Sequence, residues 1–145
     1  MEKVEIALEK FNQGYNCAQS VIYAYSEKLN LPKDLILKVS NGFGGGMGRT
    51  QEVCGAISGG IMVLSILYGR GENDDKTKQD YNYTKVRELI SKFQNKFDSV
   101  HCKTLLDGCE LLTAEGQNKF RSEGLVLRCN SYISQTIEIL EEIID

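Results

Sequence analysis

Five cysteines, Cys17, Cys54, Cys102, Cys109 and Cys129, are the residues of this sequence best suited to chemistry. No Cys-x-x-Cys occurs among them, which removes the thioredoxin motif and the zinc ribbon. Their odd number, wide spacing and the absence of an export pattern in Met1-Glu2-Lys3-Val4-Glu5 argue against a disulfide framework and for a reducing, cytoplasmic setting. Cys54 stands in the most distinctive segment, Gly48-Arg49-Thr50-Gln51-Glu52-Val53-Cys54-Gly55-Ala56-Ile57-Ser58-Gly59. With Thr50 as the cap, Cys54 falls at the end of a helix's first turn. There, unpaired N–H groups and the helix dipole favour a thiolate. Arg49 would reinforce this and Glu52 oppose it. Gly55 and Gly59 lie one turn apart and clear one helix face for another backbone or a cofactor. The competing reading is a tight helix crossing around an inert, buried thiol.

The preceding run, Gly42-Phe43-Gly44-Gly45-Gly46-Met47-Gly48, is too rich in glycine for a helix interior and predicts a loop with several positive φ angles. No GxGxxG register fits it, no Gly-Lys-Ser/Thr follows it and no strand precedes it, so nucleotide-binding readings fail. Its N–H groups, at Gly44, Gly45, Gly46 and Gly48 with Arg49 beside them, could still form an anion-binding nest. Cys17 and Cys129, each on the apolar face of a helix, read individually as small buried hydrophobes. His101 adjoins Cys102 but would point elsewhere on a helix, which weakens a Cys–His nucleophile. No Glu-x-x-His is present, so a carboxylate–histidine di-metal bundle is excluded.

The elements that must position these residues are helical. Apolar residues recur at intervals of three and four, and no strand pattern of useful length appears. Helices are expected from about Val4 to Phe11, from a cap at Asn16 to near Asn30, and from Pro32 through Val39. A fourth, apolar all round and therefore central, should run from Arg49-Thr50 to about Tyr68. A polar-faced helix is expected from about Asp80 to Phe97, after a charged loop or fraying turn at Asn73–Gln79. Asp98 or Ser99 should cap a short helix carrying Cys102, Thr113 should start another, and the last should run from Gly124 to Ile144. The expectation is all-α: a compact multi-helix bundle in one domain, 1–145, with a glycine-rich loop leading into a buried central helix.

The 145 residues carry 17 basic and 20 acidic side chains and a net charge of −3, with no basic block that would suit a nucleic acid. The uncharged run Val53–Gly69, broken by glycines and serines, reads as a core helix, so no membrane insertion is expected.

Together, Gly14-Tyr15-Asn16-Cys17-Ala18, the Gly42–Gly48 run, Cys54-Gly55-Ala56-Ile57-Ser58-Gly59 and two later cysteines resemble a bacterial and archaeal redox-active family. That family is named for its pattern C…GCAxxG…C…C. Its label writes GCA where this chain reads Cys54-Gly55-Ala56, taken here as the same element. The resemblance implies a helical domain with four functional cysteines, Cys17, Cys54, Cys102 and Cys129, leaving Cys109 as an extra. A related domain accompanies haem modules in split-Soret cytochromes, but no Cys-x-x-Cys-His occurs here, so no covalent haem is expected. Three functions stay open. The four cysteines carry thiol–disulfide chemistry or electron transfer, with Cys54 as the reactive thiolate and a redox partner that no residue identifies. Alternatively, the same four ligate zinc or an iron–sulfur cluster. In the third, the thiols are packing residues of a structural or interaction module. Association into a homo-oligomer is compatible with each.

Overall fold

A computed structural model describes residues 2–145. Its helical segments are α1 (Lys3–Asn12), α2 (Cys17–Ala24), α3 (Ser26–Leu29), α4 (Lys33–Asn41), α5 (Gly44–Met47), α6 (Gly55–Tyr68), α7 (Lys76–Phe97), α8 (Cys102–Leu105), α9 (Ala114–Ser122) and α10 (Val126–Ile143). Among the described residues there is no strand, only an isolated antiparallel bridge between Val53 and His101. The expected all-α bundle is therefore what the chain forms. Among the described residues no helix is long and apolar enough to cross a membrane.

The central helix is α6, which packs against α2 on one side and against α7 and α10 on the other. Its glycines make this closeness possible. A Cβ at Gly59 would lie 2.6 Å from the Ala18 carbonyl oxygen, and one at Gly60 would lie 2.9 Å from a Leu89 methyl. Val63, Leu64, Leu89, Phe93, Ile133, Ile137 and Leu140 fill the space between these helices. The helix is not covered all round, because Ile66 remains exposed. Phe93, Phe97 and Tyr132 continue the core as an aromatic cluster, with ring centroids 4.8 to 6.0 Å apart.

Several helix boundaries depart from the expected ones, each for a local reason. α6 begins at Gly55, not near Thr50. The Thr50 hydroxyl donates back to the carbonyls of Gly46 and Met47, and Gln51 sits at φ 62°, so the chain there is still turning. α7 starts earlier than expected, because the Asp75 carboxylate accepts from the Thr77 N–H and caps it. The segment expected as loop is helical from Lys76 onward. Asp98, at φ 65°, closes α7 instead of capping α8, whose N-cap is His101. The second expected helix breaks at Tyr25 into α2 and α3, and Asn30 ends it in the left-handed region at φ 54°.

Candidate functional site: a crevice lined by four thiols

Each of the four cysteines singled out by the family resemblance sits at or near the N-terminal end of a helical segment. Cys17 is the first residue of α2, directly after Asn16. The Asn16 side chain accepts from the Gln19 N–H, while the Gln19 side chain accepts from the Asn16 N–H. This reciprocal pair fixes the start of the helix. Cys54 is the N-cap residue of α6, Cys102 opens α8, and Cys129 closes the first turn of α10. All four line one crevice of about 430 Å³. The longer helices α2, α6 and α10 thus turn their positive ends toward it.

Two irregular segments hold Cys54 and Cys102 in place. The Cys54 N–H donates to the Val100 carbonyl and the Cys102 N–H to the Glu52 carbonyl, each at 2.7 Å. These bonds flank the Val53–His101 bridge and tie the entrance of α6 to that of α8. The glycine run folds over them as a left-handed turn. Gly45, Gly46, Met47, Gly48 and Arg49 have φ of 63°, 64°, 72°, 61° and 69°. L-residues adopt this region only singly at low cost, so five in succession require the glycines. At Gly46 the requirement is also spatial, since a Cβ there would lie 2.8 Å from the Cys102 Cβ. At Gly44 a Cβ would collide with the Asn16 side chain, whose amide donates to the Asn41 carbonyl at 2.9 Å. Gly55 and Gly59 make room for α2: their virtual Cβ atoms approach Cys17 and Ala18. Of the two partners expected at these glycines, the backbone of α2 takes the space.

Gln51 latches the crevice wall. Its side chain is buried, donates to the Cys109 carbonyl at 2.6 Å and accepts from the Leu111 N–H at 2.9 Å. Cys109 lies outside the crevice lining, and its thiol donates to the Gly116 carbonyl at 3.2 Å. Tyr132 lines the crevice floor and donates from its hydroxyl to the Leu105 carbonyl at 2.6 Å.

The electrostatics separate the thiols. Burial pushes Cys54 up from 9.0 to about 12, against a downward pull from the N–H groups of Ala56 and Ile57. The expectation of a lowered Cys54 is therefore not met. The helix start does act on it, but Cys54 is only 4% exposed, and desolvation of the charged form outweighs the dipole. Cys102 is likewise pushed up to about 12, by burial first and then by negative charge on Cys129. Cys17 and Cys129 line the same crevice, and their titrations are tied to each other. As donor to Cys129, the Cys17 thiol is held well above the ordinary value, with burial adding to the effect. Cys129, the acceptor, is drawn below the ordinary value by the same contact, against its burial.

The only charged side chains lining the crevice are Arg49 and Arg121. Among the described residues, no three His, Cys, Asp or Glu side chains converge in an arrangement that could hold a metal ion. The four thiols line one cavity, and among the described residues they do not converge as a ligand cage.

Sequence reasoning did not find Gln51, Arg121 or Tyr132. The signal for Cys17 was present, since Asn16 reads as a cap and the residue after a cap opens the helix. No comparable signal exists for Arg121, which reaches the site through the tertiary placement of α9.

A family model described as "Putative redox-active protein (C_GCAxxG_C_C)" matches residues 15–143. An uncharacterized protein of Archaeoglobus fulgidus is 28% identical over 150 residues, covering 96% of this chain and 93% of its own length. No solved structure matches the chain.

Proposed function

The chain belongs to the redox-active family written C_GCAxxG_C_C, and from that premise we propose a thiol–disulfide redox protein whose exchanging pair is Cys17 and Cys129. The observation that carries this reading is that Cys17 and Cys129 line one crevice together with Cys54 and Cys102, and that each of the pair shifts the other's proton affinity. The thiolate, not the thiol, attacks a disulfide, so the cysteine drawn down is the entering nucleophile. In this reading that residue is Cys129.

Cys129 attacks one sulfur of a partner disulfide. A mixed disulfide forms, the partner's S–S bond breaks, and one partner thiolate leaves. The Cys17 proton passes to that leaving thiolate. Cys17 then attacks the Cys129 sulfur, closing a Cys17–Cys129 disulfide and expelling the second partner thiolate, which takes its proton from solvent. Two protein thiols are oxidised to one disulfide, and one partner disulfide is reduced to two thiols. The same steps in reverse reduce the protein. Cys54 and Cys102, held protonated at neutral pH, stand beside the pair without competing for the partner.

The test is to equilibrate the reduced protein with graded ratios of oxidised to reduced dithiothreitol, quench with acid, alkylate and map disulfides by mass spectrometry. The expected product is Cys17–Cys129, lost in Cys129→Ser while helical circular dichroism is retained. Failure of any disulfide to form, or a product that leaves out Cys129, would overturn the reading.

A further inference from the structure

We propose that the crevice selects small disulfides bearing an acid group, with Arg49 and Arg121 receiving that group at the mouth. The inference rests on the thiol–disulfide reading and names the substrate class of the same site.

Three observations carry it. The cavity, about 430 Å³, is of the size that holds a small molecule. A protein partner would instead need an extended complementary surface. Its lining is apolar, from Phe11, Leu106, Leu111 and Phe120, apart from a few amides and the thiols. The charge that does line it has one sign. Arg49 and Arg121 have no acidic counterpart in the crevice, and among the described residues neither makes a salt bridge or a side-chain hydrogen bond. The neighbouring Arg128, by contrast, is paired with Asp107 at 2.7 Å.

Arg49 is also held over the cavity. A Cβ at Gly45 would lie 2.9 Å from the Arg49 Cγ and 3.8 Å from a Leu111 methyl. The arginine stem therefore lies across the bare face of Gly45, next to the Leu111 wall. This requires both the missing side chain at Gly45 and the left-handed backbone of Arg49 itself, at φ 69°. Guanidinium groups bind carboxylates through paired, charge-assisted hydrogen bonds. An acid group seated there leaves the body of the ligand against the apolar wall and its sulfur among the thiols. The α2, α6 and α10 N-termini add the same sign of charge from inside.

Exchange with such a ligand balances as above: its S–S bond is replaced by the Cys17–Cys129 bond, and two acid-bearing thiols leave. The test uses two chromogenic aromatic disulfides, the dianionic dithiobis(nitrobenzoate) and the neutral dithiodipyridine, on the reduced protein. The ratio of their second-order rates is read against the same ratio in urea-unfolded protein. The native protein is expected to favour the anionic probe, and added salt to erode the preference. Arg49→Gln with Arg121→Gln should lower the ratio on the order of ten-fold, and the double lysine variant should keep part of it. Lys78→Gln on α7, far from the crevice, should leave the ratio alone. An unchanged ratio in the double glutamine variant, with helical content intact, overturns the anion preference and leaves the exchange reading standing. If neither probe yields a Cys17–Cys129 disulfide, both fall.

Discussion

The two ends of this bundle are built by different means. Where α6, α7 and α10 pack together, the chain follows ordinary helical periodicity, with Phe93, Ile133 and Ile137 in the core and Leu89, Thr136 and Leu140 against Gly60. At the crevice end, the backbone leaves the helical region for the left-handed one at Gly45, Gly46, Met47, Gly48, Arg49 and Gln51. Thiols and single backbone bonds replace side-chain layers there. The first region stores its stability in buried apolar area. The second spends backbone strain to bring four helix starts around one space, and its buried thiols make it the more pH-sensitive of the two.

The largest expected effects separate the regions. Cys54 and Cys102 keep their protons from 9.0 up to about 12 in the fold, so between those values the folded protein binds more protons than the unfolded chain. Stability of the reduced protein is then fully present below the lower value and falls as pH rises toward the upper one. A rise from 9.0 to about 12 corresponds to about 4 kcal/mol for the buried Cys54 alone. Tyr25, held above the ordinary tyrosine value by burial and by Glu141, acts in the same direction. Urea midpoints of the reduced protein at about pH 8 and about pH 10.5 would check this. Replacing Cys54 by Ala should weaken the dependence and leave the shares of Cys102 and Tyr25. Ile137→Ala, by contrast, should cost about 2–5 kcal/mol at every pH, because it empties a buried site in the bundle. A strong pH dependence of the Ile137→Ala cost would break the distinction.

The glycine turn offers a smaller and sharper comparison. A Cβ at Gly48 meets nothing within 4 Å, so Gly48→Ala pays only for its φ of 61°. That cost is roughly 1–2 kcal/mol. Gly46→Ala pays the same and also drives a methyl against the Cys102 Cβ and the Gln51 Cα, adding about 1–3 kcal/mol. It should also change the accessibility of Cys102 to alkylation, as mass spectrometry of partly labelled protein would show. Equal costs for the two variants would mean that the turn yields freely.

The smallest effect belongs to Tyr132→Phe, which removes one hydrogen bond to the Leu105 carbonyl and leaves Arg128 as that oxygen's other donor. A loss of about 0.5–1.5 kcal/mol is expected in denaturant titrations.

What the sequence disclosed follows the same division. Helices such as α1, α7 and α10 were legible because their apolar spacing is local. The cap at Asn16 and the positive φ angles of the glycine run were legible because single residue types dictate them. The start of α6 was not, because the Thr50 hydroxyl serves the turn behind it instead of the helix ahead. The pairing of residues 52–54 with 100–102 and the meeting of Cys17 and Cys129 in one crevice join distant stretches of chain that carry no mutual signal. For Cys54 the electrostatic sign depended on depth of burial, which helix position alone does not give.

Gln51 gives the crevice wall its own timescale. The stretch from Cys109 to Leu111 belongs to no helix, and the Gln51 amide serves as its hydrogen-bonding neighbour, with one donor and one acceptor in the order a paired strand would offer. Two such bonds, each worth about 0.5–1.5 kcal/mol net, are small beside the stability of a whole domain. The same stretch is anchored further by Gln117, which donates to the Leu111 carbonyl at 3.0 Å, and by the Cys109 thiol, which donates to the Gly116 carbonyl, so the wall is tied by side chains and not by a helical ladder. In deuterated solvent the Leu111 amide, held by a side chain, should exchange far sooner than amides in the middle of α6.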